Sequence, residues 1–173
     1  RSHLKMKNSK HKILLGMFAV GALYTAWEIT RPVEIVGVHI DNFSEGYYSN
    51  YIIVKNFPVT DKGKISWWEN NKIFLKEKYG VPKNYIDGRF SVKILDAGDG
   101  YKLNLPKRDV FFPDSDTSHL ICFEEMKVAE NCIDKNWIMD IEKIRDNRIF
   151  FSMGNSSYQQ PVEGGEITKD AED

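Results

Sequence analysis

ILLGMFAVGALYTAW, residues 13–27, is a run of fifteen residues without a charged side chain. An α-helix rises about 1.5 Å per residue, so this run covers roughly 22 Å, against a bilayer hydrocarbon core of about 30 Å. Extended over Ile29, with Lys12 and Glu28 reaching toward the lipid headgroups, it becomes long enough for one span of a thin or locally adjusted bilayer. The sequence therefore predicts a single transmembrane anchor over residues 13–30.

The flanking charges predict which way this anchor is oriented. Four lysines precede the run and only Arg31 lies close after it, so the positive-inside bias places residues 1–12 in the cytoplasm as a basic leader. Residues 1–5, which precede Met6, have the character of a tag remnant. The rest of the chain is then expected in the periplasm, attached to the bacterial inner membrane.

Two alternatives to an uncleaved anchor stay open. A basic segment followed by a short apolar run is also typical of a cleaved signal peptide, although residues 19–26 offer a poor cleavage site because Tyr24 stands where a small side chain is needed. A buried helix of a soluble protein is the other alternative, because the run is shorter than a full span.

Charge and composition limit the class of the remaining domain. The chain carries 24 basic and 25 acidic residues, and the excess of acid lies in residues 154–173. Residues 31–153 are nearly neutral, whereas a nucleic-acid-binding domain normally has a basic excess. We therefore expect one α+β domain over residues 31–153, no nucleic-acid partner, and a disordered acidic tail over residues 154–173.

Cys122 and Cys132 are the two cysteines of the chain. In the cytoplasm such a pair would normally stay reduced, whereas an oxidising periplasm favours a disulfide. Given the predicted topology, we expect a bond between them. Closing a loop of this size stabilises a fold by about 2–3 kcal/mol.

The first half of the domain shows strand and helix patterns. VEIVGVHI (33–40) and residues 51–55 predict two strands of an antiparallel hairpin, with DNFSEGYYSN (41–50) as the loop. A helix is predicted from a cap at Thr60 or Asp61 to Gly80. Its apolar stripe is formed by Ile65, Trp68, Leu75 and Tyr79.

The second half predicts further strands. Polar and apolar residues alternate in RFSVKIL (89–95), which is typical of a strand with one solvent-exposed face. Gly98 and Gly100 indicate a turn after it. Residues 120–123 predict another strand. For residues 136–153 a helix and a hairpin fit almost equally well, and we favour a hairpin that turns at Asp146 and Asn147. The predicted fold is a mostly antiparallel sheet with one packed helix.

Four segments of the chain carry a family resemblance: RPVEIVGVH from residue 31, VKNFPVTDKGKISWWENNKIFLKEKYGVPK from 54, DGYK from 99 and CFEEMKVAENCIDKN from 122. They resemble an enterobacterial family of inner-membrane proteins of unknown function. The block NFPVTDKGKISWW is the most specific of them, and the similarity covers residues 6–153. The acidic tail and the loop over residues 103–117 depart from the family pattern.

The resemblance implies a membrane-tethered periplasmic protein of undetermined activity. Small, variable enterobacterial proteins of this layout are often immunity factors, so by analogy we expect a binding protein that neutralises an antibacterial toxin. The alternative is an accessory subunit of an inner-membrane or envelope complex, in which small residues such as Gly16 and Gly21 let the anchor pack on another membrane protein.

Motifs for catalysis or metal binding are weak. The turn DAGDG lacks the spacing of a calcium loop, and Asp114, Asp116 and His119 lack a second histidine or a cysteine at ligand spacing. No serine stands in a G-x-S-x-G turn, and the cysteines are better explained by a disulfide. We therefore expect no enzyme, no metal and no cofactor.

Aromatic residues are the best candidates for contact with a protein partner, because tyrosine and tryptophan are enriched in binding hot spots. Trp67 and Trp68 point about 100° apart on a helix, so Trp67 is the one expected to be partly exposed. Packing of both on the sheet is the simpler alternative. The other candidates are Tyr47 and Tyr48 in the first loop and Phe111 and Phe112 in the second.

Overall fold

A computed structural model of the chain describes residues 2–105 and 119–171, without the side chains of residues 2–7 and 28–29. The chain forms two compact units, Arg1–Pro32 and Val33–Asp173. The boundary lies at Pro32, because the residue before a proline disfavours the helical conformation.

The first unit is a single helix, α1, which spans Ser2–Thr30. Its apolar side chains are exposed on every side of the helix: Ile13, Leu14 and Leu15, at successive steps of about 100°, are each more than half exposed. Among the residues that the structure describes in full, no helix combines the length and the hydropathy needed to cross a bilayer.

The second unit is built on a seven-stranded sheet in the order β1-β2-β3-β6-β7-β8-β9. Neighbouring strands are antiparallel except for β2 and β3. The strands are β1 Glu34–Ser44, β2 Tyr47–Lys55, β3 Phe90–Asp96, β4 Leu120–Cys122, β5 Cys132–Asp134, β6 Trp137–Lys143, β7 Ile149–Met153, β8 Ser156–Gln160 and β9 Thr168–Lys169. β4 and β5 form a separate two-stranded hairpin, and the predicted α+β class with a mostly antiparallel sheet is confirmed.

The β1–β2 hairpin is longer than the sequence predicted. The segment 41–50 was expected to be a loop, but its residues pair across the strands until Ser44 meets Tyr47. Gly46 makes the tight turn with φ 76°, a conformation that glycine adopts without strain. The prediction of a ten-residue loop was wrong because tyrosine and β-branched residues on both sides favour continued pairing.

Helix α2, Asp61–Tyr79, forms as predicted. The Thr60 hydroxyl accepts the backbone N–H of Gly63, and Gly80 ends the helix in a left-handed conformation. Ile65, Trp68 and Leu75 are buried against one face of the sheet, and Tyr79 is half-buried. The helix also connects β2 to β3, which explains why these two strands are parallel: parallel neighbours require a crossover.

β3 lies in the middle of the sheet, and the face that was predicted to be exposed to solvent is largely covered by other residues. Phe90, Val92 and Ile94 face α2, but Ser91 and Leu95 on the opposite face are also buried. Leu95 packs with Phe123 and Ile133 of the β4–β5 hairpin. The expectation of one solvated face was wrong because it rested on alternation alone, which does not show what covers the polar side.

The predicted hairpin over residues 136–153 is confirmed as β6 and β7. Its turn contains Asn147 with φ 68°, and Asp146 accepts hydrogen bonds from the backbone and the guanidinium of Arg148. Gly98 and Gly100 also have the positive φ expected for the turn after β3.

The C-terminal segment was predicted to be disordered, and this was wrong for its central part. β8 pairs with β7 over five residues, and β9 pairs with β8. The Tyr158 hydroxyl donates to the Asp61 carboxylate at 3.0 Å, which ties β8 to the first turn of α2. Composition indicated disorder because the segment is acidic, but its buried contacts, such as Gln160, depend on a strand partner supplied by β7.

The β4–β5 hairpin covers part of the sheet face opposite α2. Cys122 and Cys132 are cross-strand partners and form the predicted disulfide. A single turn of 3-10 helix, Glu124–Met126, lies between the two strands. Most of the predicted loop over residues 103–117 lies outside the described residues.

Candidate functional site

Three aromatic rings meet at the tip of the β1–β2 hairpin. Phe43 and Tyr47, on either side of the turn, have ring centroids 6.3 Å apart, and Tyr85 lies 6.3 Å from Phe43 and 5.3 Å from Tyr47. Ile86 follows directly and is 82% exposed, while Phe43 is 57% exposed. We call Phe43, Tyr47, Tyr85 and Ile86 the aromatic patch.

The loop that carries Tyr85 and Ile86 is fastened to the hairpin. The backbone N–H of Ile86 donates to the Gly46 carbonyl at 2.8 Å, and a Cβ atom at Gly46 would lie only 3.1 Å from Ile86. Deeper in β2, the fully buried Asn50 accepts the Lys83 N–H and donates to the carbonyls of Lys83 and Ser91. The patch is therefore part of the folded sheet although half of it comes from a loop.

Two cations stack on tyrosines around the patch. The Lys83 ammonium lies 4.2 Å from the ring of Tyr48, and the Arg89 guanidinium lies 5.4 Å from the ring of Tyr85. Arg89 also pairs with Asp87 at 2.8 Å. Partial desolvation by itself raises the pKa of Asp87, but the hydrogen bonds and charge of Arg89 outweigh it, so the pKa lies below its usual value.

This arrangement has the chemistry of a protein-binding surface. Tyrosine and arginine are enriched in interface hot spots, and rings already packed on one another lose little rotamer freedom on binding. Exposed apolar residues that lie together, with charged residues around them, commonly mark a contact site.

The predicted partner-binding residues lie in different parts of the structure. Tyr47 is in the patch and Tyr48 lies beside it under Lys83. Trp67 is half-buried, packs on the core and lies edge-on to Phe57 with centroids 5.0 Å apart, so it fits the simpler alternative. Phe111 and Phe112 lie outside the described residues, as do Asp114 and Asp116.

Sequence reasoning missed Phe43, Tyr85 and Ile86. The segment NYIDGRF does contain a signal, since two large apolar residues stand directly before an Asp-Gly turn pair. The sequence does not show that this turn folds back on the hairpin tip, because the hydrogen bonds that hold it there join residues more than thirty positions apart.

A second polar cluster lies under the β4–β5 hairpin and was also missed. His39 Nδ1 lies 2.6 Å from Glu125 Oε1, its Nε2 lies 2.6 Å from the Tyr101 hydroxyl, and its ring stacks on Phe123 at 3.7 Å. Burial lowers the pKa of His39, against the hydrogen bond and charge of Glu125, which raise it. Burial, followed by the Glu125 charge, raises the pKa of Tyr101.

A neutral His39 satisfies both contacts if Nδ1–H donates to Glu125 and Nε2 accepts from Tyr101 O–H. His39 is only 8% exposed. The cluster joins β1 to the segment that carries the disulfide, so its evident role is to hold that cover on the sheet. Among the described residues, no group of three or more histidine, cysteine or acidic side chains is arranged to hold a metal ion.

The fold therefore combines an apolar N-terminal helix with an α+β domain that presents an aromatic surface. The chain belongs to a family described as "Enterobacterial putative membrane protein (DUF943)", whose model matches residues 7–171. The predicted family resemblance is confirmed, and the match includes the C-terminal strands. No curated protein and no solved structure matches the chain.

Proposed function

We propose that this protein is a binding protein held at the inner membrane by α1, with its domain in the periplasm, and that it neutralises an antibacterial toxin as an immunity protein. The observation that carries the binding role is the aromatic patch. Its three packed rings and Ile86 are presented half by the β1–β2 hairpin and half by a loop that hydrogen bonds fix to it. An interface of this composition needs little reorganisation to bind.

Membrane attachment is supported by the exposure of α1. Apolar side chains on all sides of a helix require an apolar environment on all sides, and a bilayer provides one. The family description agrees with such an attachment. Aromatic residues at the end of the run, Tyr24 and Trp27, suit the interface between lipid and water.

The periplasmic location is supported by two independent features. The lysines before α1 favour a cytoplasmic N-terminus, and the Cys122–Cys132 bond suits an oxidising compartment. Alkaline phosphatase fused to the C-terminus tests the orientation, because it is active only after export. An inactive fusion, with green fluorescent protein fluorescent in the same position, would overturn the periplasmic assignment.

The immunity role is tested by growth in mixed culture. A strain lacking this gene is grown with sibling cells that release the effector encoded beside it, and it is complemented with the wild-type protein or with variants. We expect the wild type to restore survival and Phe43→Ser/Ile86→Ser to fail. Phe74→Ser/Val59→Ser is the matched control, because Phe74 and Val59 are exposed apolar residues that do not belong to the patch.

Two outcomes would contradict the proposal. If loss of the gene leaves survival unchanged with every neighbouring effector, the protein does not act as an immunity protein. If the patch variant protects as well as the control variant at equal protein levels, the patch is not the binding surface. Protection that survives exchange of α1 for an unrelated span supports a tether, whereas loss of protection indicates the alternative role as an envelope-complex subunit.

A further inference from the structure

A groove of about 620 Å³ lies between α2 and the end of the sheet, on the face opposite the β4–β5 hairpin. Its apolar lining includes Trp68, Phe90 and Ile149, which are buried, and Ile73, which is 68% exposed. Ligand sites commonly have volumes of about 300–1,000 Å³ and an apolar lining with a few polar groups. The groove therefore has the size and character of a site for one small molecule.

Lys143 is the polar group in the floor of this groove. It is the cross-strand partner of Phe90 on one side and of Ile149 on the other, so all three lie in one row on the face that α2 covers. Within the described part of the chain, its ammonium group makes no ion pair or side-chain hydrogen bond. A half-buried lysine between two buried apolar residues favours an anion bound beside it.

The other two lysines of the groove have partners within the chain, an ion pair for Lys72 and a backbone hydrogen bond for Lys76. Lys72 pairs with Glu69 at 3.0 Å and with Glu163 at 3.7 Å, and Lys76 donates to the Pro82 carbonyl at 2.7 Å. The Lys72–Glu163 pair joins α2 to the β8–β9 connection at the side of the groove. The lining contains three lysines and the two carboxylates of Glu77 and Glu163, so one net positive charge remains beside the apolar side chains.

We propose that this groove binds a single-chain carboxylate amphiphile of the fatty-acid class, with its carboxylate on Lys143 and its chain along Trp68, Ile73 and Phe90. The charge complements Lys143, and the chain covers the exposed Ile73. Placement beside a membrane gives the domain access to such molecules. The site is separate from the aromatic patch, so this proposal rests on the membrane attachment in the proposed function but not on the immunity role.

The test uses the full-length chain in phospholipid nanodiscs with a palmitic-acid analogue that carries a photoreactive diazirine on its chain. After irradiation, mass spectrometry locates the labelled residues. We expect label on the groove residues of α2 and β3, competition by unmodified palmitate, and at least about fivefold less label at subsaturating analogue for Lys143→Glu. Lys143→Arg should retain the label, and Ile73→Glu should reduce it.

The controls separate a charge-specific site from apolar trapping. Lys135→Glu makes the same charge change at an exposed position outside the groove and should label like the wild type. The corresponding diazirine alcohol, which has no charge, should label the groove weakly. Equal labelling by acid and alcohol, no effect of Lys143→Glu in a variant with an unchanged melting temperature, or label confined to α1 would each overturn the proposal.

Discussion

Asn50 holds Lys83 by both of its backbone groups: its side-chain oxygen accepts the Lys83 N–H at 2.8 Å, and its side-chain nitrogen donates to the Lys83 carbonyl at 3.2 Å. A third hydrogen bond joins the same nitrogen to the Ser91 carbonyl at 2.9 Å. Asn50 is fully buried in β2. One side chain thereby fixes the start of the loop that carries half of the aromatic patch.

Replacing Asn50 with alanine is expected to destabilise the domain by about 2 kcal/mol or more, because a buried polar group left without a partner costs about 1–3 kcal/mol. Urea unfolding followed by circular dichroism measures this loss. Hydrogen exchange at the Lys83 amide should also accelerate. Asn70→Ala, at an exposed position of α2, serves as the control and should change stability by less than about 0.5 kcal/mol.

The His39 cluster predicts acid sensitivity. Because the pKa of His39 is lower in the folded protein than its value near 6.5 in the unfolded chain, the unfolded state binds the proton more readily. The contribution of His39 to the free energy of unfolding is fully present above pH 6.5. It is lost as the pH falls from 6.5 toward the pKa that His39 has in the folded protein. Thermal unfolding at pH 7.5 and at pH 5 should therefore show a lower melting temperature at pH 5.

Substitutions in the cluster test the sign of this effect. Glu125→Gln removes a charge that raises the pKa of His39, so the loss of stability between pH 7.5 and pH 5 should increase. His39→Gln removes the titrating group and should reduce this loss of stability. His119→Gln, which lies outside the cluster, should show the same loss as the wild type. A smaller acid effect in Glu125→Gln than in the wild type would show that this interpretation of His39 is wrong.

Removing the disulfide with Cys122→Ser/Cys132→Ser is expected to destabilise the domain by about 2–3 kcal/mol. The bond joins two residues ten positions apart, and without it the loop between them regains its conformational freedom in the unfolded chain. Guanidinium unfolding of both proteins measures the difference. The reduced wild type should match the double variant to within about 1 kcal/mol. Equal stability of oxidised and reduced wild type would contradict the prediction.

The aromatic patch predicts a loss of binding without a loss of stability. Phe43→Ser and Ile86→Ser should each weaken binding to the effector identified by the growth assay by about 2 kcal/mol, or roughly thirtyfold, as measured by calorimetry. Both side chains are mostly exposed, so the melting temperature should stay within a few degrees of the wild type. Phe74→Ser provides the matched control, and an equal loss of affinity there would argue against a localised surface.

Local signals in the sequence were sufficient for many elements of the fold. Thr60 and Gly80 bound α2 because capping depends on residues within a turn of the helix end. Asn147 and Gly98 mark turns through backbone conformations that few residues adopt easily. The hairpin over residues 136–153 was harder to predict, because short apolar segments fit two periodicities.

Contacts between segments that are distant in the sequence could not be predicted from local signals. Tyr158 and Gln160 stand in a stretch whose composition indicates disorder, yet β7 provides a strand for them to pair with. The roles of His39 and Asn50 depend on contacts 33 or more positions away. No local pattern carries such information.

The sequence by itself determined the apolar N-terminal helix, the caps of α2, the α+β class and the identity of the disulfide partners. Each of these follows from residue chemistry over short separations, or from the presence of just two cysteines. Only the tertiary structure decided that β2 and β3 are parallel, that the C-terminal segment joins the sheet, and that Tyr85 and Ile86 meet the hairpin tip. The physical reason is that these arrangements are stabilised by burial and hydrogen bonding between distant segments, which come into contact only when the whole sheet has formed.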